Sequence, residues 1–329
     1  MSKIIIGIHG LGNKPDANLL SQWWLESIKE GLVKTGLIFE DIPFKLVYWA
    51  DILYPEAENL EIKDKEDPLF ISEPYCKSSP DLAKKPDLEN LSSRILKYIE
   101  QQLDKIFLRK DMTLNFNSVT DRIIHSYFRD LEVYYSDDSV DQQDPTVLTR
   151  DLIRKRLLNV LKEHYQDDIL LICHSMGSII AYDVLINNPD QCKINSLVTV
   201  GSPLGIPIII SRIFKEQNAI RVPVNILKKW YNFSDPEDLV AMDHTLQDDF
   251  HENLNNIVIQ DMLVYNDYQV DGERNPHKIY GYLRTPEMAK IFKDFLIKER
   301  RGLLKHYDKV VGKVKNLWNK TVGRRKNEA

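Results

Sequence analysis

The sequence is poor in cysteine and has no long apolar run. Only three cysteines occur among 329 residues, Cys76, Cys173 and Cys192, and no two of them form a C-x-x-C pair. This spacing indicates neither a disulfide framework nor a zinc site, so we expect reduced thiols. The apolar stretch at residues 4–8 is too short for a signal-peptide core, and no segment approaches bilayer-spanning length. We therefore expect a soluble protein in the cytoplasm.

Charge is unevenly distributed along the chain. The formal net charge is −5, but residues 297–329 contain 11 Lys/Arg against 3 Asp/Glu, a net +8 that leaves −13 for the rest. With this length and 43% hydrophobic residues, the chain can bury a substantial core. Its size fits one large α/β domain, or a domain with an insertion.

Apolar strands alternate with amphipathic helices along most of the chain. The predicted strands span residues 3–9, 44–49, 169–173, 196–203, 224–235 and 256–265. Helices are predicted at 17–33, at 146–164 with Asp144 as N-cap and Pro145 in the first turn, and from Thr285 onwards. This alternation predicts an α/β fold with a mostly parallel sheet covered on both faces.

Residues 51–145 do not follow the alternation. They contain 21 Asp/Glu against 12 Lys/Arg and favour two helices, at about 88–107 and 119–135. We interpret this region as a helical insertion in a core formed by 1–50 and 146–300. Insertions at the carboxyl end of a parallel sheet commonly cover an active site, so it is either a lid or a decoration packed elsewhere.

The segment CHSMG at residues 173–177 joins a predicted strand to a predicted helix. A strand, G-x-S-x-G and a helix hold a nucleophilic serine in a sharp turn, because the small residues let strand and helix approach closely. Here Gly177 is the second small residue, and Cys173 stands in place of the first. The helix N-terminus behind Ser175 favours a developing negative charge.

Five motifs together resemble the α/β-hydrolase superfamily, on its lipase and serine-esterase side. They are IHGLG (8–12), CHSMG (173–177), VTVGSPLG (198–205), YNFSDPEDLVA (231–241) and NPHKIYGYL (275–283). The resemblance implies the α/β-hydrolase fold and a nucleophile, an acid and a base that follow one another along the chain.

The resemblance assigns the catalytic roles to three residues. Ser175 is the expected nucleophile, and His277, between the last strand and the last helix, is the expected base. Asp238 is the expected acid, because Asp238-Leu239-Val240 matches a D-x-V context after a strand. Asp235, three residues earlier, remains the alternative acid, and either aspartate could instead form a turn beside Pro236.

The other seven histidines fit the role of base less well. They are His9 and His174 in the motif loops, His125 and His164 in predicted helices, His306 in the tail, and His244 and His251 shortly after the acid. His9 and His174 are expected to support backbone geometry, and His244 and His251 are the fallback candidates.

Two backbone N–H groups are the expected oxyanion hole, those of Leu11 and Met176. Gly10 and Gly12 give the first loop freedom to turn an N–H inward. Neither a P-loop nor a G-x-G-x-x-G fingerprint is present, so no cofactor is expected. The Asp and His residues at 243–251 match no ligand motif, so no metal is expected.

The C-terminal region 301–329 is predicted to form a basic amphipathic helix and tail. Apolar residues recur every three or four positions over 303–322, with lysines between them. Such a helix suits peripheral contact with an anionic membrane, or it packs its apolar face on the acidic body or on a partner subunit. Nucleic-acid binding is not expected from one short basic helix.

Two hypotheses for function follow. The first is a serine hydrolase that cleaves carboxylic esters with apolar or lipid-like acyl groups through Ser175, His277 and Asp238. Thioesterase, amidase and acyltransferase activities use the same machinery and stay open. The alternative is a catalytically idle hydrolase fold that serves as a membrane-associated or protein-interaction module.

Overall fold

A computed structural model describes residues 2–78, 130–136, 139, 146–241 and 243–297. The predicted helix at 88–107, most of the one at 119–135 and the tail at 301–329 lie outside these residues. Of the predicted insertion, only 51–78 and a short stretch around the helical residues 130–135 are described.

Six parallel strands form the central sheet. They are β1 (Lys3–Ile8), β2 (Phe44–Val47), β3 (Asp168–His174), β4 (Ile194–Val200), β5 (Ile226–Ser234) and β6 (Ile259–Leu263). Their order in the sheet is β2-β1-β3-β4-β5-β6, and every neighbouring pair is parallel. The predicted α/β class with a mostly parallel sheet is confirmed. All six predicted strands are present, with ends shifted by a few residues.

Helices cover both faces of this sheet. They are α1 (Ala17–Lys34), α2 (Thr149–Glu163), α3 (Met176–Asn187), α4 (Pro207–Gln217), α5 (Ile279–Leu283) and α6 (286–297). Alternate strand residues face opposite sides, so Ile4 and Ile6 of β1 join the core under α2, α3 and α4, whereas Ile5 joins the core under α1, α5 and α6. A short hairpin of β7 (Gln269–Val270) and β8 (Glu273–Arg274), not predicted, precedes α5.

The sequence predicts the start of helix α1 correctly but not that of helix α2. Helix α1 begins as predicted at Ala17, because Oδ1 of Asp16 accepts the N–H groups of Asn18 and Leu19 at 2.9 and 3.2 Å. Helix α2 begins at Thr149, and its cap residue Leu148 makes no side-chain capping bond. The predicted start at 146 is therefore wrong, because the buried residues that hold this helix begin at Thr149. Asp144 and Pro145, the predicted cap and first-turn residues, lie outside the described residues.

None of the described helices is both long enough and apolar enough to cross a bilayer. The described part of the insertion, 51–78, begins in a 3-10 turn at Ala50–Ile52 and continues as turns and isolated bridges. One bridge joins Glu58 to Pro15, just after the first motif loop. This segment therefore runs beside the loop that follows β1.

Candidate active site

Ser175 lies between β3 and α3 with a strained backbone. Its φ is 54° and its ψ is −128°, a conformation that residues other than glycine rarely adopt. Its N–H donates to the carbonyl of Val200 at 3.0 Å, which ties the turn to the end of β4. Strain of this kind persists only where surrounding structure holds it, and it clusters at functional sites.

Two glycines allow the close packing around Ser175. A Cβ placed on Gly177 would lie 2.7 Å from the carbonyl oxygen of Ile8, and one on Gly10 would lie 2.6 Å from Cβ of Ser175. Cys173 occupies the other small position and is completely buried. Burial raises the pKa of its thiol well above the usual value, so this cysteine stays neutral.

The hydroxyl of Ser175 is buried without a partner. The residue is 1% exposed, and its Oγ makes no hydrogen bond to any described residue. Buried hydroxyls are nearly always hydrogen-bonded, so an orphan at the start of a helix requires an explanation. A group reserved for a reacting substrate is one such explanation.

His277 and Asp238 form a tight pair. Nδ1 of His277 lies 2.9 Å from each carboxylate oxygen of Asp238. The carboxylate also accepts the hydroxyl of Tyr282 at 2.7 Å and the N–H of Val240 at 2.9 Å. Burial acts to raise the pKa of Asp238, but the charge of His277 and these hydrogen bonds outweigh it and lower the pKa. An ionised Asp238 keeps the proton of His277 on Nδ1, which leaves Nε2 as the acceptor.

Asp235, the alternative acid, makes no hydrogen bond to His277 among the described contacts. Its Oδ2 pairs with the guanidinium of Arg274 and accepts the N–H of Asn266 at 2.6 Å. Burial raises the pKa of Asp235 to about 6, although Arg274 acts to lower it. Of the two carboxylates that the sequence leaves open, the structure therefore places Asp238 against His277.

The end of β4 brings the serine and the histidine to one edge of the sheet. Gly201, with φ 56°, follows the Val200 carbonyl that holds Ser175. A Cβ on Gly201 would lie 2.8 Å from Oδ2 of Asp238 and 3.0 Å from Nδ1 of His277. No hydrogen bond joins Ser175 to His277 in this arrangement. Hydrogen bonds between a nucleophile and its base are often long before substrate binds, so His277 stays the candidate base.

Two motif histidines, His9 and His174, contact backbone groups. Nδ1 of His9 contacts the carbonyl of Gly10 at 2.8 Å, and Nε2 accepts the N–H of Trp49 at 3.0 Å. Burial lowers the pKa of His9 to about 3, so the ring is neutral and Nδ1 carries the proton. Nε2 of His174 contacts the carbonyl of His277 at 2.8 Å, and burial lowers its pKa well below the usual value.

The remaining histidines do not replace His277. Neither His244 nor His251 forms a hydrogen bond to Asp238 among the described contacts, and burial lowers the pKa of His244. Nδ1 of His164 contacts Asp167 at 2.8 Å just before β3 begins, whereas Ser175 follows the end of that strand. His125 and His306 lie outside the described residues.

The first motif loop orients the N–H of Leu11. A trans peptide places its C=O and N–H on opposite sides. Since the C=O of Gly10 points at the ring of His9, the N–H of Leu11 in the same peptide points away from that ring. Met176 is in the first turn of α3, where backbone N–H groups have no partner within the helix. Both expected oxyanion donors thus belong to segments in contact with Ser175.

Two further charged residues hold this loop, and sequence reasoning missed both. Nζ of Lys14 donates to the carbonyls of Leu11, Gly12 and Asn13, the last two at 3.1 and 3.0 Å. Oδ2 of Asp130 accepts the N–H of Gly12 at 2.7 Å. Burial lowers the pKa of Lys14 to about 8, which leaves it mostly protonated at pH 7. Lys14 lies two residues after the motif, but nothing in the sequence links it to Asp130.

No cluster of three or more His, Cys, Asp or Glu residues able to hold a metal occurs within the described ranges. Comparison with protein families, with curated proteins and with solved structures gives no match. Inference about function therefore depends on the motifs and on the geometry around Ser175.

Proposed function

We propose that this chain is a serine hydrolase of the α/β-hydrolase type that cleaves carboxylic esters. The observation that carries the proposal is the orphan hydroxyl of Ser175, held at φ 54° at the sheet edge where Gly201 packs against the His277–Asp238 pair. Sheet order, parallel strands and the order of the three residues along the chain support the same assignment. Apolar or lipid-like acyl groups are the proposed substrates.

In the acylation step, His277 accepts the proton of Ser175 at Nε2 while Oγ attacks the ester carbonyl carbon. Asp238 stabilises the imidazolium that forms. The N–H groups of Leu11 and Met176 bind the oxyanion of the tetrahedral intermediate. Collapse breaks the bond to the alkoxy oxygen, which takes the proton from His277 and leaves as the alcohol.

In the deacylation step, water attacks the acyl carbon on Ser175 and passes its proton to His277. Collapse of the second tetrahedral intermediate breaks the bond to Oγ, and the serine regains its proton from His277. The carboxylic acid is the second product. None of these steps requires a cofactor.

The test is labelling by a fluorophosphonate probe with peptide mass mapping. Wild type, Ser175→Ala and His277→Ala are compared, with Ser178→Ala as the matched control. Ser178 is also buried in the same turn, but its hydroxyl donates to the carbonyl of Cys173 at 3.2 Å. We expect labelling at Ser175 in wild type and in the control, none in Ser175→Ala, and a decrease of at least about 10³-fold without the base.

Hydrolysis of p-nitrophenyl esters of increasing acyl length then tests the substrate class. Faster turnover of longer chains supports apolar acyl groups, whereas a preference for acetate contradicts them. A folded wild type that neither labels nor hydrolyses these esters contradicts the proposal and favours the binding-module alternative. Flotation with anionic vesicles, with and without residues 303–329, tests that alternative.

A further inference from the structure

A carboxylate from a distant segment holds the loop that carries His277. The side-chain oxygen of Asn275 accepts the N–H of His277 at 2.9 Å. The side-chain N–H of Asn275 donates to one oxygen of Glu73, and Nζ of Lys278 donates to the other at 2.9 Å. One carboxylate therefore fixes side chains on both sides of the histidine.

Glu73 approaches this loop from an anchored backbone. The carbonyl of Pro74 accepts the hydroxyl of Tyr268 at 2.6 Å. The ring of Tyr75 meets Tyr280 edge to face, with centroids 5.7 Å apart. Because the two residues that follow Glu73 are attached to the core in this way, its carboxylate has a defined position relative to the loop.

Glu73 carries a negative charge at neutral pH. Burial acts to raise its pKa, but the charge of Lys278 and the hydrogen bonds from Asn275 and Lys278 outweigh burial and lower the pKa. An ionised carboxylate accepts hydrogen bonds on both oxygens, which the two donors here require.

A second set of contacts holds the backbone of the loop independently of Glu73. Nδ2 of Asn266 donates to the carbonyls of Pro276 and Lys278, each at 2.8 Å. Loss of Glu73 would therefore leave the turn in place but free the amide of Asn275 to rotate. That rotation would release the N–H of His277 from its acceptor.

We propose that Glu73 is a positioning residue for His277, because it fixes Asn275 and Lys278 and thereby holds the imidazole with Nδ1 at Asp238. Its importance for turnover rests on the proposed function, in which His277 is the base. Glu73 itself does not contact the reacting atoms.

The variants for the test are Glu73→Gln and Glu73→Ala in the full chain, with Glu66→Gln as control. Glutamine keeps the shape of Glu73, but its NH₂ group faces a donor and loses one of the two bonds. The alanine variant loses both bonds. Glu66 is exposed in the same segment, so its variant removes the same charge without touching the loop. Thermal melts monitored by circular dichroism establish whether each variant folds. If Glu73→Ala does not fold, Glu73→Gln alone tests the proposal.

The first readout is the downfield proton resonance of Nδ1–H of His277, assigned by its loss in His277→Ala. We expect it to shift or broaden in both Glu73 variants and to stay unchanged in Glu66→Gln. The second readout is ester hydrolysis. In both Glu73 variants we expect kcat to fall about 10- to 100-fold while KM stays within about twofold, because misplacing a catalytic group by about 1 Å lowers the rate by up to about 100-fold. Asn275→Ala should give a similar loss that does not add to that of Glu73→Ala.

An unchanged resonance and an unchanged kcat in folded Glu73→Gln and Glu73→Ala would overturn the proposal. A loss carried by KM alone would also overturn it, because that pattern indicates substrate binding. If wild type is inert to esters and to the fluorophosphonate probe, the proposed function fails, but the resonance still decides whether Glu73 positions His277.

Discussion

Nδ1 of His277 is 2.9 Å from both carboxylate oxygens of Asp238, and the side chain of Asp238 is fully buried. The hydroxyl of Tyr282 contacts both Asp238 and the N–H of Asp235. Tyr282 thus contacts both aspartates, but only Asp238 contacts His277. Because Asp235 and Asp238 lie in the same loop, matched substitutions at the two positions test which of them is the acid.

Asp238→Asn is expected to lower kcat/KM for ester hydrolysis on the order of 10⁴-fold, because an amide in this place favours the wrong tautomer of His277. Asp235→Asn disturbs the contacts of Asp235 with Arg274 and with the N–H of Asn266 but leaves Asp238 against His277, so we expect less than about a tenfold loss. Steady-state kinetics on folded variants measure both values. A larger loss in Asp235→Asn than in Asp238→Asn would show that the acid is assigned wrongly.

From the lowered pKa of Lys14 we expect a fall in activity at alkaline pH. The pKa of Lys14 in the folded state is about 8, below that of a free lysine, so the ammonium that holds three loop carbonyls loses its proton as pH rises through about 8. The unfolded chain binds this proton up to about pH 10.4, so the group makes the folded state relatively more stable as pH rises from about 8 to 10.4. Activity and stability are therefore expected to change in opposite directions.

The measurement is kcat against pH for wild type, Lys14→Met and the exposed control Lys65→Met, with uncatalysed hydrolysis subtracted. We expect Lys14→Met to be about tenfold or more slower at pH 7, and to lack the fall near pH 8 that wild type and the control share. An identical alkaline fall in Lys14→Met would assign that titration to another group.

Gly201→Ala should impair the site by contact rather than by backbone strain alone. Gly201 and Gly36 have φ values of 56° and 76°, so alanine at either costs about 1–2 kcal/mol. Only at Gly201 would the new Cβ meet Asp238 and His277, because nothing lies within 4 Å at Gly36. We expect Gly201→Ala to lower the denaturant midpoint more than Gly36→Ala does, because the contact adds to the strain, and we expect a loss of fluorophosphonate labelling only in Gly201→Ala. Equal labelling in both variants would contradict the close packing.

The sequence predicts the parts of the site that are local in the chain. Ser175 is recognisable because strand, turn and helix are adjacent in sequence, and a positive φ there follows from the same packing. His277 is recognisable by its place before the last helix. The D-x-V context favours Asp238 as the acid, but the sequence leaves Asp235 as an alternative, because the exclusion of Asp235 depends on its pairing with Arg274.

The supporting residues could not be predicted for a related reason. Glu73 is 205 residues from its partner Lys278 in the sequence, and Asp130 is 118 residues from its partner Gly12. Both are charged residues in an acidic region, and such a region is typical of a solvated surface. Periodicity identifies buried apolar faces, but it carries no information about which carboxylate meets which loop. The start of α2 differs from the predicted one because an Asp-Pro signal is local, whereas the buried residues that hold the helix begin at Thr149.

A buried ion pair ties the end of the insertion to the core. Oδ2 of Asp183 in α3 accepts the hydroxyl of Tyr134 at 2.7 Å and a guanidinium N–H of Arg154 at 2.6 Å. The side chain of Asp183 is 6% exposed. Removing Asp183 leaves the buried hydroxyl of Tyr134 without its acceptor and the guanidinium of Arg154, 19% exposed, without its close carboxylate, which together cost several kcal/mol.

Asp183→Ala is therefore expected to lower the free energy of unfolding by about 3–5 kcal/mol in urea or guanidinium titrations. Asp51→Ala is the matched control, because it removes the carboxylate from a pair with Arg156 whose side chains are 47% and 43% exposed. Exposed pairs contribute about 0–1 kcal/mol, so the control should change stability little. Equal effects would mean that the Asp183 pair is solvated, and that packing around Tyr134 alone attaches residues 130–135 to α3.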